Sequence, residues 1–255
     1  MAAAEGLEEL LAEAADVPVA GWDFTWFAGR ASEDRPAWGY SRLLGQRMAV
    51  ARVALDVDTG GGEVLAEIPS PPPVLMATES WPPNWSIAAG NLSRRGGRVV
   101  AVGEDAGLPF ADGVFDLVTS RHPVDTDWAE VARVLAPGGT FLSQQVGAGS
   151  AREVTDAVMG PQPVSCERDP QMAAARARAA GLEVVDLRTQ ALRMEFFDIA
   201  AVVVFLRKVI WIVPGFTIDA YRPQLAALHE RIRTEGSFTA TAQRFLIVAR
   251  KPRRV

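Results

Sequence analysis

The stretch Arg52 to Leu65, R-V-A-L-D-V-D-T-G-G-G-E-V-L, constrains this chain more than any other. Val53, Ala54 and Leu55 form a short apolar run of the kind found in a strand buried on both faces, and Asp56 to Gly62 bring carboxylates and three consecutive glycines. The pattern is that of a strand ending in a tight turn. Glycine lets the backbone take positive φ and lets a ligand approach the main chain, while Glu63 to Ile68 can open a helix whose N-terminal amides point back at that ligand. α/β proteins hold nucleotide-like cofactors in this way. Many glycine turns only reverse the chain, however, so the remaining sequence has to decide.

Downstream, strand and helix alternate. Val74 to Ala77 is a second apolar strand ending at Thr78-Glu79, followed by a helix over Asn84 to Ser93 with Asn84 as its cap. Val99 to Val102 is a third strand, and the Asp112-Gly113 turn leads into a fourth over Val114 to Thr119. A helix over Asp127 to Leu135 stops at Pro137-Gly138-Gly139 before a fifth strand, Thr140 to Val146. Strands separated by helices imply parallel pairing with right-handed crossovers. Pro170 to Ala180 reads as a helix, Leu182 to Leu187 as a sixth strand, and Tyr221 to Arg233 as another helix. The alternating Phe238 to Ala249 suits a last, antiparallel strand. Phe196 to Val213 is very apolar, but Asp198, Arg207 and Lys208 interrupt it, so it reads as a buried or cap helix rather than a membrane span.

Upstream, Leu7, Leu10 and Leu11 line one face of an acidic helix over residues 5 to 15. Trp22, Phe24, Trp26, Phe27, Trp38 and Tyr40 then crowd Gly21 to Tyr40, interrupted by a polar turn from Arg30 to Pro36. Such aromatic density reads first as a staple for an N-terminal extension and second as a substrate lid. Ser41 to Arg52 is a further helix that delivers the chain to the glycine turn.

Composition removes several classes of function. A chain of 255 residues with 49% hydrophobic content can bury a sizeable core. A net charge of −5 argues against non-specific attraction to nucleic acid or anionic membrane. The single cysteine, Cys166, excludes an intramolecular disulfide and a cysteine-rich zinc site, and no metal site is expected. The N-terminus lacks the basic and apolar regions of a signal peptide, so a cytoplasmic protein is expected.

Position gives the carboxylates meaning. Ligands of doubly wound sheets sit at the carboxyl ends of strands, and an acid about 20 positions past the glycines commonly accepts ribose hydroxyls, which singles out Glu79. Asp105, at the end of the third strand, could accept from an adenine amino group, with the Ala106 amide facing a ring nitrogen.

Here the chain resembles the class I S-adenosylmethionine-dependent methyltransferases, within the methyltransferase type 11 group that carries an L-P-F-x-D-x-x-F-D-x-V signature. The matching stretches are Ala54 to Glu63, Ala77 to Glu79, Glu104 to Val118 (E-D-A-G-L-P-F-A-D-G-V-F-D-L-V) and Glu130 to Gly139 (E-V-A-R-V-L-A-P-G-G), in the family's order within residues 50 to 147. The resemblance implies a Rossmann-like, doubly wound α/β fold: a mostly parallel seven-stranded sheet with an antiparallel last strand. It divides the chain into an N-terminal helical and aromatic extension, residues 1–50, packing on a cofactor-binding domain, residues 51–255, with a cap insertion at about 194–234. It implies S-adenosyl-L-methionine as cofactor, with Asp56, Gly60 and Gly62 around its methionine part, Glu79 on the ribose, and Asp105 with Ala106 at the adenine. Trp81 lies where it could cover the adenine face, and Ser120, at the end of the fourth strand, is counted with the cofactor contacts. One departure stands out: the family usually has glycine where this chain has Asp58. Aspartate tolerates left-handed φ better than most residues, and its carboxylate could pair with the α-ammonium group of the cofactor.

The expected reaction is O- or N-methylation of a small-molecule acceptor, with no nucleic-acid or membrane partner; the chain could pair as a homodimer. His122, just past the fourth strand, is the candidate general base, since its ordinary pKa suits proton removal at neutral pH. The other histidine, His229, lies in a charged helix and reads as solvated. Trp38, Tyr40 and Phe196 are the candidate substrate wall. The rivals are a nicotinamide dehydrogenase, which would share the glycine turn and ribose acid, a cofactor-binding protein without turnover, and an RNA methyltransferase, which the acidic balance disfavours.

Overall fold

The computed structural model describes residues 2–19, 24–103 and 106–253, with side chains from residue 6 onward. In chain order the elements are α1 (Ala2–Asp16), β1 (Ala31–Glu33), α2 (Tyr40–Met48), β2 (Val53–Val57), α3 (Glu63–Ala66), β3 (Val74–Glu79), α4 (Pro82–Ser93), β4 (Arg98–Ala101) and β5 (Phe115–Arg121). They continue with α5 (Trp128–Val134), β6 (Leu135–Val146), α6 (Arg152–Met159), α7 (Pro170–Ala179), β7 (Glu183–Phe196), α8 (Ile199–Lys208), α9 (Arg222–Glu235) and β8 (Phe238–Arg250). The strands form one mixed sheet in the order β1-β7-β8-β6-β5-β2-β3-β4. β2 pairs in parallel with β3 and β5, β3 with β4, and β5 with β6, whereas β8 runs antiparallel to β6. This is a Rossmann-like α/β sheet with an antiparallel last strand.

Eight strands replace the expected seven. The segment read as a polar turn after Arg30 contributes β1, three residues paired antiparallel to Met194–Phe196. Its polar sequence carried no alternation to betray it, since an edge strand this short needs no buried face. β7 is longer than the expected Leu182 to Leu187, which leaves Ile199–Lys208 as the only helical part of the Phe196 to Val213 segment. α6 had no counterpart in the sequence reading.

The chain divides into two compact units. The first comprises Met1–Arg35, Gly149–Ser165 and Ala191–Gln243. Leu7 and Leu11 of α1, Val154 of α6, Leu225 and Ile232 of α9 and Phe238 pack with the nearly all-apolar α8. Asp198 starts α8 by accepting a hydrogen bond from the Ala201 amide at 2.7 Å, which satisfies one of the donors a helix start leaves open. His229 belongs to this core and is 6% exposed, so the solvated histidine expected in α9 is in fact buried. The neighbouring Glu230, Arg231 and Arg233 form the exposed charged face, and His229 lies on the other.

The second unit comprises Pro36–Ala148, Cys166–Gln190 and Arg244–Val255. Its strands send alternate residues to two faces: Leu55, Val118, Phe141 and Ile247 pack with α5 and α7, while Ala54, Leu117, Leu142 and Leu246 pack with α2. Both faces are thus covered, which is why β2 and β5 read as continuous apolar runs rather than alternating ones.

Candidate functional site

All proposed cofactor residues that the structure describes lie in the second unit, on one edge of its parallel strands. The chain winds outward from β2 through β3 to β4, then returns to the other side of β2 to form β5 and β6. The order therefore reverses between β2 and β5, and the carboxyl ends of those strands open the crevice where α/β sheets bind ligands. Asp56 and Thr119 are register partners at that point. The Thr119 hydroxyl donates to Asp56 Oδ1 at 2.5 Å. Burial raises the Asp56 pKa to about 6; the Thr119 hydrogen bond works against this and Asp58 adds to it.

The glycine turn follows. Asp58, Gly60 and Gly62 have φ of 54°, 65° and 75°, so the aspartate occupies the left-handed conformation in which the family has a glycine. Gly62 is restricted twice, because a Cβ there would also approach Leu92 Cγ to 3.2 Å. α3 spans only four residues rather than running to Ile68.

Glu79 is not the exposed acceptor the sequence suggested. It is 4% exposed, and its oxygens accept the Gly60 amide and the Trp81 amide, each at 2.7 Å. Burial raises its pKa, while the Trp81 and Gly60 amides hold it back. The carboxylate thereby ties the glycine turn to the end of β3. Trp85, which donates from Nε1 to the Glu79 carbonyl at 3.0 Å, and Asn91, which donates to the Gly61 carbonyl at 2.9 Å, complete the brace. Sequence reading missed both, and made Asn84 the cap of α4. The helix instead opens with Trp81 at its N-cap and Pro82 at its first position, and Asn84 is buried with its Oδ1 unpartnered. Trp81 is 53% exposed.

The third-strand segment is held by a latch. Glu130 accepts the Leu108 amide at 2.6 Å, while Arg133 donates to the carbonyls of Leu108 at 2.8 Å and Phe110 at 2.7 Å and to Asp112 at 2.8 Å. Arg133 also pairs with Glu130, which lowers the Glu130 pKa. The L-P-F-x-D and E-V-A-R stretches are thus two halves of one hydrogen-bonded unit. The Ala106 amide donates to the Gly103 carbonyl at 3.1 Å, and Asp105 lies outside the described residues.

At the ends of β5 and β6 the expected residues meet others that carried no motif. Ser120 is 1% exposed with its Oγ unpartnered, and its carbonyl accepts from the Tyr40 hydroxyl at 3.2 Å. Burial, and the nearby Asp56, push the Tyr40 pKa well above its ordinary value, so the phenol remains a donor. Trp38 donates from Nε1 to Gln144 Oε1 at 2.8 Å, and Gln144 Nε2 lies 2.9 Å from His122 Nε2. Burial, then Arg121 and Arg244, hold the His122 pKa well below its ordinary value. Trp38, Tyr40, Ser120 and His122 are therefore brought together. Phe196 lies in the core of the first unit, 1% exposed, with its ring 5.3 Å from that of Phe205. No group of three or more potential metal ligands occurs among the described residues, and no helix there is long and apolar enough to cross a membrane.

This fold, with its braced glycine turn at the switch point, is that of the class I methyltransferases. Residues 55–143 match the family model described as a methyltransferase domain. Over 73 residues the chain is 41% identical to malonyl-acyl-carrier-protein O-methyltransferase of Geobacter sulfurreducens; that match covers 26% of this chain and only 27% of the relative. Among solved structures, a candidate methyltransferase of Bacillus halodurans C-125 superposes with a TM-score of 0.60 at 18% identity, covering 83% of this chain and 98% of the other. The cyclase SpnF gives 0.52 at 20% identity, over 97% and 94%. These structural likenesses speak for the fold, which hosts more than one chemistry.

Proposed function

We propose that this chain binds S-adenosyl-L-methionine at the β2/β5 switch point and transfers its methyl group to a small-molecule acceptor by O- or N-methylation. The observation that carries the reading is a set of buried polar groups waiting for a polar ligand. Asp56 and Asp58 lie at the turn, and neither forms a salt bridge among the described residues, while Ser120 Oγ and Asn84 Oδ1 are buried without partners. Buried polar atoms left this way are costly unless something completes them. The α-ammonium group of the cofactor answers the two carboxylates. Glu79 keeps a lone pair on each oxygen for ribose hydroxyls after accepting the two amides, and Trp81 offers an exposed face to the adenine.

When bound, the cofactor supplies an electrophilic methyl group on a sulfonium. The protein's contribution is orientation: Glu79 holds the turn in shape, Asp56 and Asp58 fix the amino-acid end, and the acceptor is aligned behind the methyl for in-line attack. The second reading, a cofactor-binding protein with another chemistry, is supported by the near full-length likeness to a cyclase. Calorimetry with S-adenosylmethionine and with NAD, followed by mass spectrometry of an acceptor panel, separates these readings. Binding of S-adenosylmethionine with a methylated product supports methyl transfer, and binding without product favours the second reading. Preference for NAD, or no binding, overturns the cofactor assignment.

A further inference from the structure

His122, Gln144 and Trp38 form a chain of hydrogen bonds whose direction is fixed by one end. An indole N–H can only donate, so the group that Trp38 Nε1 meets at 2.8 Å must be the oxygen of Gln144. The Gln144 amide nitrogen is then the atom 2.9 Å from His122 Nε2. That nitrogen can only donate, so His122 Nε2 has to present its lone pair and the ring proton resides on Nδ1. The backbone holds the ring in place: the His122 amide donates to the Gln144 carbonyl at 2.7 Å, and its φ of 55° is a conformation that non-glycine residues adopt rarely. Gln144 itself is 3% exposed. Among the described hydrogen bonds none uses Nδ1, and Nδ1 is not among the buried unpartnered atoms, so this N–H remains available to a ligand.

A ring arranged this way is poorly suited to take a proton. Protonating Nε2 would set an N–H against the amide donor of Gln144. The charged groups acting on the ring, Arg121 and Arg244, oppose a further positive charge as well. What remains is a neutral donor in a cationic neighbourhood at the end of β5.

We propose that His122 is a hydrogen-bond donor to the acceptor substrate through Nδ1–H, with Gln144 and Trp38 as positioning residues, and that the acceptor is a carboxylate. This rests on the methyl-transfer reading above. A carboxylate arrives without a proton to lose, so it needs no base. One of its oxygens forms the new C–O bond as the S–CH3 bond breaks with its electron pair left on sulfur; the carboxylate and sulfonium charges cancel, and a methyl ester results with no proton released. This role replaces the general base that the position of His122 suggests from sequence.

The test is long-range proton–nitrogen NMR on the intact protein, which reads histidine tautomers directly. With two histidines in the chain, a His229→Gln variant assigns the signals. The expected spectrum of His122 is a neutral Nδ1–H ring that does not titrate between about pH 6 and 8. An Nε2–H ring, or an imidazolium at neutral pH, overturns the proposal. Gln144→Glu places a carboxylate beside Nε2 and should drive His122 to a protonated Nε2 with a raised pKa. If that variant does not fold, Trp38→Phe frees the amide to turn over, and both tautomers should then appear; an unchanged spectrum in either folded variant refutes the relay. With S-adenosylhomocysteine present, sodium benzoate is expected to shift the Nδ1–H resonance and benzylammonium is not. No shift with benzoate at saturating concentration, or an equal shift with benzylammonium, overturns the carboxylate assignment. Failure of the cofactor to bind would sink the methyl-transfer reading while leaving the tautomer measurement intact.

Discussion

Replacing Thr119 by Val removes a hydroxyl from Asp56 and changes little else, because the two side chains have nearly the same shape and position 119 is fully buried. The lost contact is the 2.5 Å hydrogen bond to Asp56 Oδ1. A hydrogen bond to a charged group contributes about 1.5–3 kcal/mol. Since about 1.4 kcal/mol corresponds to one pKa unit, Asp56 should move from about 6 to roughly 7–8. At pH 7 its ionised fraction then falls from about nine-tenths to between about one-half and one-tenth. If this carboxylate receives the α-ammonium of the cofactor, S-adenosylhomocysteine should bind the variant about two- to tenfold more weakly at pH 7, with less than a twofold gap near pH 8.5. In the parent protein the folded state holds a proton between the usual 3.8 and about 6 that the unfolded chain has released, so this group's stabilisation declines as pH rises through that window. Cofactor binding favours the ionised form, and below about pH 6 it should therefore expel a proton and weaken about tenfold per pH unit. Calorimetry across this range, in two buffers of different ionisation enthalpy, measures both affinity and proton release. Equal, pH-independent affinities for parent and variant with no proton released would refute the reasoning.

Glu79→Ala should lower melting temperature as well as cofactor affinity, because it strands the amides of Gly60 and Trp81 at about 1–3 kcal/mol each. An unchanged melting curve would show that the glycine turn does not depend on this carboxylate. Arg133→Met removes the donors to Leu108, Phe110 and Asp112 and should speed amide exchange in residues 107–112 by about tenfold, measured by hydrogen–deuterium exchange with β5 as the internal reference. Its guanidinium is partly exposed, so the global cost should stay near 1 kcal/mol; exchange unchanged from the parent would mean that the segment is held without the latch.

The parts of the molecule legible in the sequence are those encoded by neighbouring residues. The apolar run before the glycines, the Asp112-Gly113 turn and the Asp127 cap, which accepts the Glu130 amide at 3.0 Å, act over a few positions and were read at their places. Asp58 was recognisable as a left-handed residue because its chemistry permits that conformation. Glu79 was found by its distance from the glycines, yet its burial was invisible, because the amides that enclose it come from two different turns. Gln144 carries no motif and becomes informative only when folding brings Trp38 to it across 106 positions. His229 looked solvated because its neighbours in sequence are charged, whereas its neighbours in space are Leu225, Leu228 and Ile232 on the inner face of α9. β1 has no apolar face to announce it.

The division of the chain bears on how it can be synthesised and cut. The polypeptide leaves one unit for the other after residues 35, 148, 165, 190 and 243. β8 supplies Phe238, Ala240 and Ala242 to the core of the first unit and Phe245, Ile247 and Ala249 to that of the second. Neither core is complete until this last strand has been made, so the common course in which an N-terminal domain folds while the remainder is still being translated is closed to this chain. A nascent polypeptide stalled before Phe238 carries two unfinished hydrophobic cores, and a nick between Gln243 and Arg244 severs the one strand that serves both.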